Sequence, residues 1–190
     1  MDAARLIARA VIGGLFAGHG TQKLFGWFGG PGLDGTSQMM DKLQLRPGRR
    51  NAVAAAAAET AGGTLLALGA LTPLAGSLIT GTMITAIRKV HARNGPWNTN
   101  GGYEYNLALI AATAALVECG PGSPSVDRAV GLERRGSRCA LASLAVGAAG
   151  SARAIEAGKQ AEPETPAEQP TGRFSRNGQL PEPEPVRTAA

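Results

Sequence analysis

Four apolar stretches, at residues 6–28, 52–71, 72–87 and 103–119, follow one another along the first two thirds of the chain. That succession leaves few folds open. At about 1.5 Å per residue a helix over 6–28 crosses a hydrocarbon core of about 30 Å. The second stretch is also long enough to span and holds one ionisable residue, Glu59. The third opens with Thr72-Pro73, a helix-start signal, and stays apolar to Ile87 before Arg88-Lys89. The fourth stops at the breaker Gly120-Pro121-Gly122. Stretches three and four fall short of the roughly 18 uninterrupted apolar residues that mark a spanning helix by themselves, so a water-soluble Ala-rich bundle is the competing reading. Against it, the runs Ala54 to Ala58 and Leu65 to Leu71 leave almost no polar face, whereas a surface helix in water shows one. Gly14 and Gly18 form a GxxxG step and Gly62-Gly63 sit inside stretch two, small residues that let helix backbones approach closely in lipid.

Composition divides the chain. Hydrophobic residues make up 44% and charged residues 17% of the 190, yet mean hydropathy is −0.03, because a sparsely charged part up to Cys119 is averaged with a part rich in Arg, Glu, Pro and Ser. The expected organisation is a four-helix membrane domain over 1–127, a polar linker with a short interfacial helix over 128–160, and a disordered Pro/Glu-rich tail over 161–190, whose composition cannot bury enough apolar surface to order it. The apolar patch at 139–150 is too short to span and reads as a helix on or near the bundle. Residues 29–51 read as a long loop, Gly-rich at first and basic at its end, and 92–102 as a turn-rich surface segment. Arg5 and Arg9 precede the first stretch, but no small-residue cleavage site follows, so a retained helix is expected. The net charge of +5 is dispersed and aromatics are only 4%, which argues against nucleic acid as a partner. Cys119 and Cys139 form neither a CxxC pair nor a metal-ligand spacing, so no metal and no thiol redox centre is expected.

The fold class expected is therefore all-α, an antiparallel bundle of four transmembrane helices with a lipid bilayer as its surroundings. Antiparallel connectivity brings the end of stretch one, the start of two, the end of three and the start of four to one pole. His19, Gln22, Lys23, Glu59, Arg88, His91 and Glu104 all map there, and so do Trp27, Trp97, Tyr103 and Tyr105, where an interfacial aromatic belt would sit. An ionisable side chain near mid-bilayer costs on the order of 3 kcal/mol on insertion scales, so Glu59 should face the interior and a donor, with Lys23, Arg88 and His19 the candidates. Two readings stand: a structural pole in which Glu59 only holds helices in register, or a polar pocket formed by those seven residues that takes a small anion or a quinone head group or passes protons. No catalytic residue is identified by type and spacing.

Several segments together resemble the DoxX family of bacterial membrane proteins. His19-Gly20-Thr21-Gln22-Lys23-Leu24-Phe25-Gly26 is similar to the family's first-helix ending, followed by Gly29-Gly30-Pro31-Gly32. Glu59-Thr60-Ala61-Gly62-Gly63 looks like its second helix, Met83 through His91 the end of its third, Gly102-Tyr103-Glu104 the start of its fourth, and Gly120-Pro121-Gly122 with Ser125 and Asp127 the closing motif. The resemblance covers about 5–127 and implies a multi-pass plasma-membrane protein, with a subunit role in a quinone-linked or oxidative-stress redox system, alongside membrane or cytoplasmic redox partner proteins, by analogy with some relatives. A non-enzymatic scaffold or small-solute binding protein is the alternative. Charge does not decide orientation; both termini in the cytoplasm is the expectation.

Overall fold

The computed structural model describes residues 2–161, and every regular element among them is helical. The tail expected to be disordered lies, beyond Ala161, outside the described residues. Helix α1 runs Asp2–Phe25, with Asp2 in its first turn and Lys23 in its last, each at the end its charge favours. Gly26, at φ 72°, ends it. Helix α3, Gly48–Leu68, ends on Gly69 at φ 63°. Helix α4, Thr72–Ala86, takes Pro73 in its first turn and continues through a wide π-type turn, Ile87–His91. Helix α5 covers Glu104–Cys119, and a single turn, α6, covers Val126–Ala129.

Two stretches depart from the sequence reading. The segment 29–51, expected as a loop, contains helix α2, Gly32–Lys42. Its buried Thr36 and Met40 lie four apart on one face, and Met40 packs with Leu45, Ala52 and Ile155; the glycines around it masked this short amphipathic pattern. The stretch 128–160, expected as a polar linker with a short helix, holds the 24-residue helix α7, Ser137–Gln160. Its inner face is Ala140, Ser143, Gly147, Ser151, Ile155 and Gly158, spaced three or four apart. Such a stripe packs closely while contributing little to hydropathy, which is why it read as linker.

Helix α4 is the centre of the arrangement. On one side α3 runs antiparallel to it, and α1 runs antiparallel to α3. On the other lie α5 and α7. Ser77 pairs with Ser143 at 3.4 Å and Thr85 with Ser151 at 2.8 Å, so α7 runs parallel to α4. A consequence is that the end of α7 meets the α2–α3 connection, where the Arg46 amide donates to the Gly158 carbonyl at 3.4 Å. Helix α7 thus ends at the pole opposite Asp2, while the C-terminal residues lie outside the described ones.

The α1–α3 contact is set by glycine, at Gly63 of the expected Gly62-Gly63 pair and not at the Gly14/Gly18 step. A Cβ on Gly63 would lie 2.4 Å from the Ala17 nitrogen and 2.5 Å from the Gly13 carbonyl oxygen. Gly14 and Gly18, the GxxxG step, have nothing within 4 Å of a built Cβ. Gly63→Ala is therefore expected to lower stability by about 2 kcal/mol, because backbone must move to admit the methyl group. Gly14→Ala is the control, expected to be neutral or slightly stabilising; denaturation midpoints in one detergent compare them.

No helix among the described residues is long and apolar enough to cross a membrane by averaged hydropathy. Beside the apolar core of Phe16, Leu66, Ile79 and Val117, several polar side chains are buried and several large apolar ones are exposed. Arg9, Thr36, Thr72, Thr80 and Thr113 are fully buried or nearly so, while Ile7, Val11 and Leu15 on α1, Leu107 on α5 and Leu141 and Val146 on α7 are at least half exposed.

Candidate functional site

A cavity opens between α3, α4 and α7, with Met40 and Leu43 of the α2 region closing part of it; its volume is about 360 Å³. Helix α4 runs along its length from Leu74 to Lys89, about 22 Å at 1.5 Å per residue. The walls are mostly small or apolar: Ala54 and Ala58 from α3, Gly81 from α4, Gly147 and Gly150 from α7. Helices α4 and α7 come close at Gly81 and Gly147, whereas a Cβ built on Gly150 would meet nothing within 4 Å. A cavity that is mainly apolar, with a few placed polar groups, is the usual form of a small-molecule site.

Two charged features border it. Part-way along, the Lys23 ammonium donates to both carboxylate oxygens of Glu59. The Glu59 side chain is 6% exposed and that of Lys23 22%, so the pair sits on the wall with most of its water removed. At the end near Asn51 and Val90 stands Lys89, which joins no ion pair among the described residues. Burial, with the cations of Lys159, Arg93 and Arg88 nearby, holds the Lys89 ammonium below the usual lysine range.

Of the seven residues the sequence placed in one pocket, Lys23 and Glu59 are brought together. The others are distributed. His19 Nδ1 pairs with Gln22 Oε1 at 3.0 Å, and both residues border a separate shallow groove with Gly14, Gly18 and Phe28. His91 Nδ1 pairs with the Gly101 carbonyl at 2.8 Å, and the Asn98 amide donates to Glu104 Oε1 at 2.8 Å, so these two hold the 92–103 loop. Arg88 is exposed. Glu59 stands midway along α3, Gly48–Leu68, and the side chains of the seven serve different local structures.

Two features escaped sequence reasoning. Lys89 was grouped with Arg88 as a flanking charge, and only the wide turn that ends α4 shows which of the two borders the cavity. The other lies at the opposite pole. The buried Asp127 carboxylate accepts from the Leu71 amide at 2.7 Å, the Thr72 amide at 3.0 Å and the Thr72 hydroxyl at 2.8 Å. Nearby, the fully buried Arg9 donates from Nη2 to the Pro124 carbonyl at 2.5 Å. Among the described residues no three of His, Cys, Asp and Glu gather in a metal-binding group, and Cys119 and Cys139 are free thiols.

These features define an all-helical protein built round an apolar interhelical cavity with a buried ion pair in its wall. Residues 4–92 match the DoxX family model. The match takes in α1 to α4 and so most of the cavity, leaving α5 to α7 outside it. No curated protein and no solved structure matches the chain.

Proposed function

We propose that this chain is a multi-pass plasma-membrane protein of the DoxX family that binds a lipophilic molecule in the cavity between α3, α4 and α7. The observation that carries the reading is the cavity itself, about 360 Å³ and walled mainly by Ala, Gly and Leu. Membrane residence draws support from the exposed apolar residues of α1, α5 and α7 and from Trp27, Trp97 and Tyr105, each more than half exposed at one pole. In that setting α1, α3, α4 and α5 are the crossing helices, and α7, which runs alongside α4, lies at the same depth as it.

The mainly apolar walls fit a quinone as one member of this ligand class; the hydroxyls of Thr82 and Thr85 are spent on the Ile79 and Gly81 carbonyls and Ser151 pairs with Thr85, which leaves the Lys89 ammonium as a donor at the border for a quinone carbonyl. A quinone would link the site to the redox system that the DoxX resemblance implies, as one subunit working with partner proteins. A second reading, non-enzymatic binding or scaffolding, is favoured by the pairing of Lys23 with Glu59: each satisfies the other, as in a contact that fixes helix register.

The test is titration of a short-chain quinone analogue and a panel of neutral lipids into the full chain in mild detergent, followed by calorimetry. Saturable one-to-one binding of at least one, weakened about tenfold in Ala58→Phe, is the expected outcome. An absence of saturable binding across the panel would sink the cavity reading. Turnover with a reduced sulfur donor, alone or with co-purifying proteins, separates the redox role from simple binding.

A further inference from the structure

We propose that the cavity takes an anionic single-chain amphiphile, with its acidic head at Lys89 and its apolar chain laid along α4 towards Leu74. This rests on the lipophilic-ligand reading above and adds the charge and shape of the ligand. The chemistry is that of a long-chain carboxylate.

The shape comes from α4. The cavity follows this helix over about 22 Å, from Leu74 to Lys89, and is bordered on opposite sides by small residues, Ala54 and Ala58 from α3 and Gly147 and Gly150 from α7. A long space with mainly apolar walls, whose polar groups are mostly paired with one another, suits an unbranched chain better than a wide rigid ring.

The charge comes from the two lysines. Lys23 is neutralised by Glu59 within the wall, so the interior carries no net charge from that pair. Lys89 borders the cavity without a carboxylate partner among the described residues. Around it the neighbouring charges are positive, Arg88 and Arg93 on its own segment and Lys159 on α7. The α7 carboxylate Glu156 is engaged by Lys159 at 3.5 Å. The half-buried Lys89 ammonium stands at the cavity's edge beside the exposed Arg88 and Arg93, and an anionic head placed there relieves their mutual repulsion while its chain enters the apolar walls. An alcohol or a neutral quinone has the chain or the ring but leaves the cation cluster uncompensated.

The test uses the full chain in mild non-ionic detergent with palmitate, hexadecanol and a short-chain quinone analogue as probes. Palmitate should bind saturably at one site and about tenfold more tightly than hexadecanol. Lys89→Gln should remove that preference, weakening palmitate about tenfold while leaving hexadecanol within about twofold. Arg134→Gln, an exposed cation remote in sequence from the cavity, controls for general surface charge and should leave both affinities unchanged. If Lys89→Gln does not fold, carbon-13 carboxyl-labelled palmitate bound to the wild-type chain should show its carboxyl titration displaced downward in pH, as expected for an anion beside cations. Equal binding of acid and alcohol, or tighter binding of the quinone analogue, overturns the anionic head while leaving the lipophilic-cavity reading in place. No saturable binding of any probe overturns both.

Discussion

Glu59→Ala is expected to lower stability by about 3–5 kcal/mol, the range for removing one partner of a buried ion pair. The carboxylate is 6% exposed and accepts both of its contacts from Lys23, which is itself only 22% exposed. With the carboxylate gone, the ammonium is left in a wall of Ala, Leu and Gly without a counter-charge, and its long stem must bend towards water, disturbing the α1–α3 contact. Glu59→Gln keeps the volume and one acceptor but not the charge, so a smaller loss of about 2 kcal/mol is expected. The informative variant is the double replacement Lys23→Met with Glu59→Leu. Both charges and their desolvation penalties then disappear together, and stability should return to within about 1.5 kcal/mol of the native chain. Denaturation midpoints of the four chains in one detergent read the series. A loss as large in the double as in Glu59→Ala would mean that packing at these positions, rather than the ion pair, holds the helices.

This pair also shows how far the sequence could be read. A single carboxylate among apolar residues had to find a donor, and Lys23 stood at the right pole by antiparallel connectivity alone. The four principal helices were legible for the same reason, since each is a long apolar run between breakers. What lay beyond reach was anything decided by the rotation of a helix about its axis. Lys89 and Arg88 are adjacent in sequence, yet one borders the cavity and the other faces outward, and the wide turn 87–91 sets which. His91 and Glu104 share the expected pole but turn to the 92–103 loop.

Helix α7 was hidden by chemistry of a different kind. Ser143, Gly147 and Ser151 contribute nothing to a hydropathy scan, although each is buried against α4. In a contact between close-packed helices, small size does the work that apolar area does in a larger core. The same distinction reconciles the absence, among the described residues, of a helix long and apolar enough to span by averaged hydropathy with the proposed membrane setting. Averaging along a helix counts Arg9, Lys23 and Glu59 as if they met the solvent, whereas all three are turned inward and only the outer face, with Ile7, Val11 and Leu15, would meet lipid.

Asp127→Ala should cost about 3 kcal/mol and loosen the start of α4. The carboxylate takes the Leu71 and Thr72 amides and the Thr72 hydroxyl, so it acts as the cap of that helix from 55 residues away in sequence. Leu71 holds φ 44°, ψ 46°, a left-handed conformation unfavourable for a side-chain-bearing residue, and the cap is what keeps the turn there. Removing it leaves amides without partners at a site where Thr72 is fully buried. It also removes the negative charge whose field reaches the buried Arg9, whose guanidinium retains the Pro124 carbonyl as acceptor. Asp127→Asn preserves one acceptor oxygen and should lose about half as much. Hydrogen exchange at Leu71, Thr72 and Leu74 locates the effect, because loss of the cap predicts faster exchange there while the middle of α4 stays protected. If exchange at those amides is unchanged and the stability loss is below about 0.5 kcal/mol, the turn is held instead by the backbone bond from the Asp127 amide to the Gly69 carbonyl, 2.9 Å long, which survives the substitution.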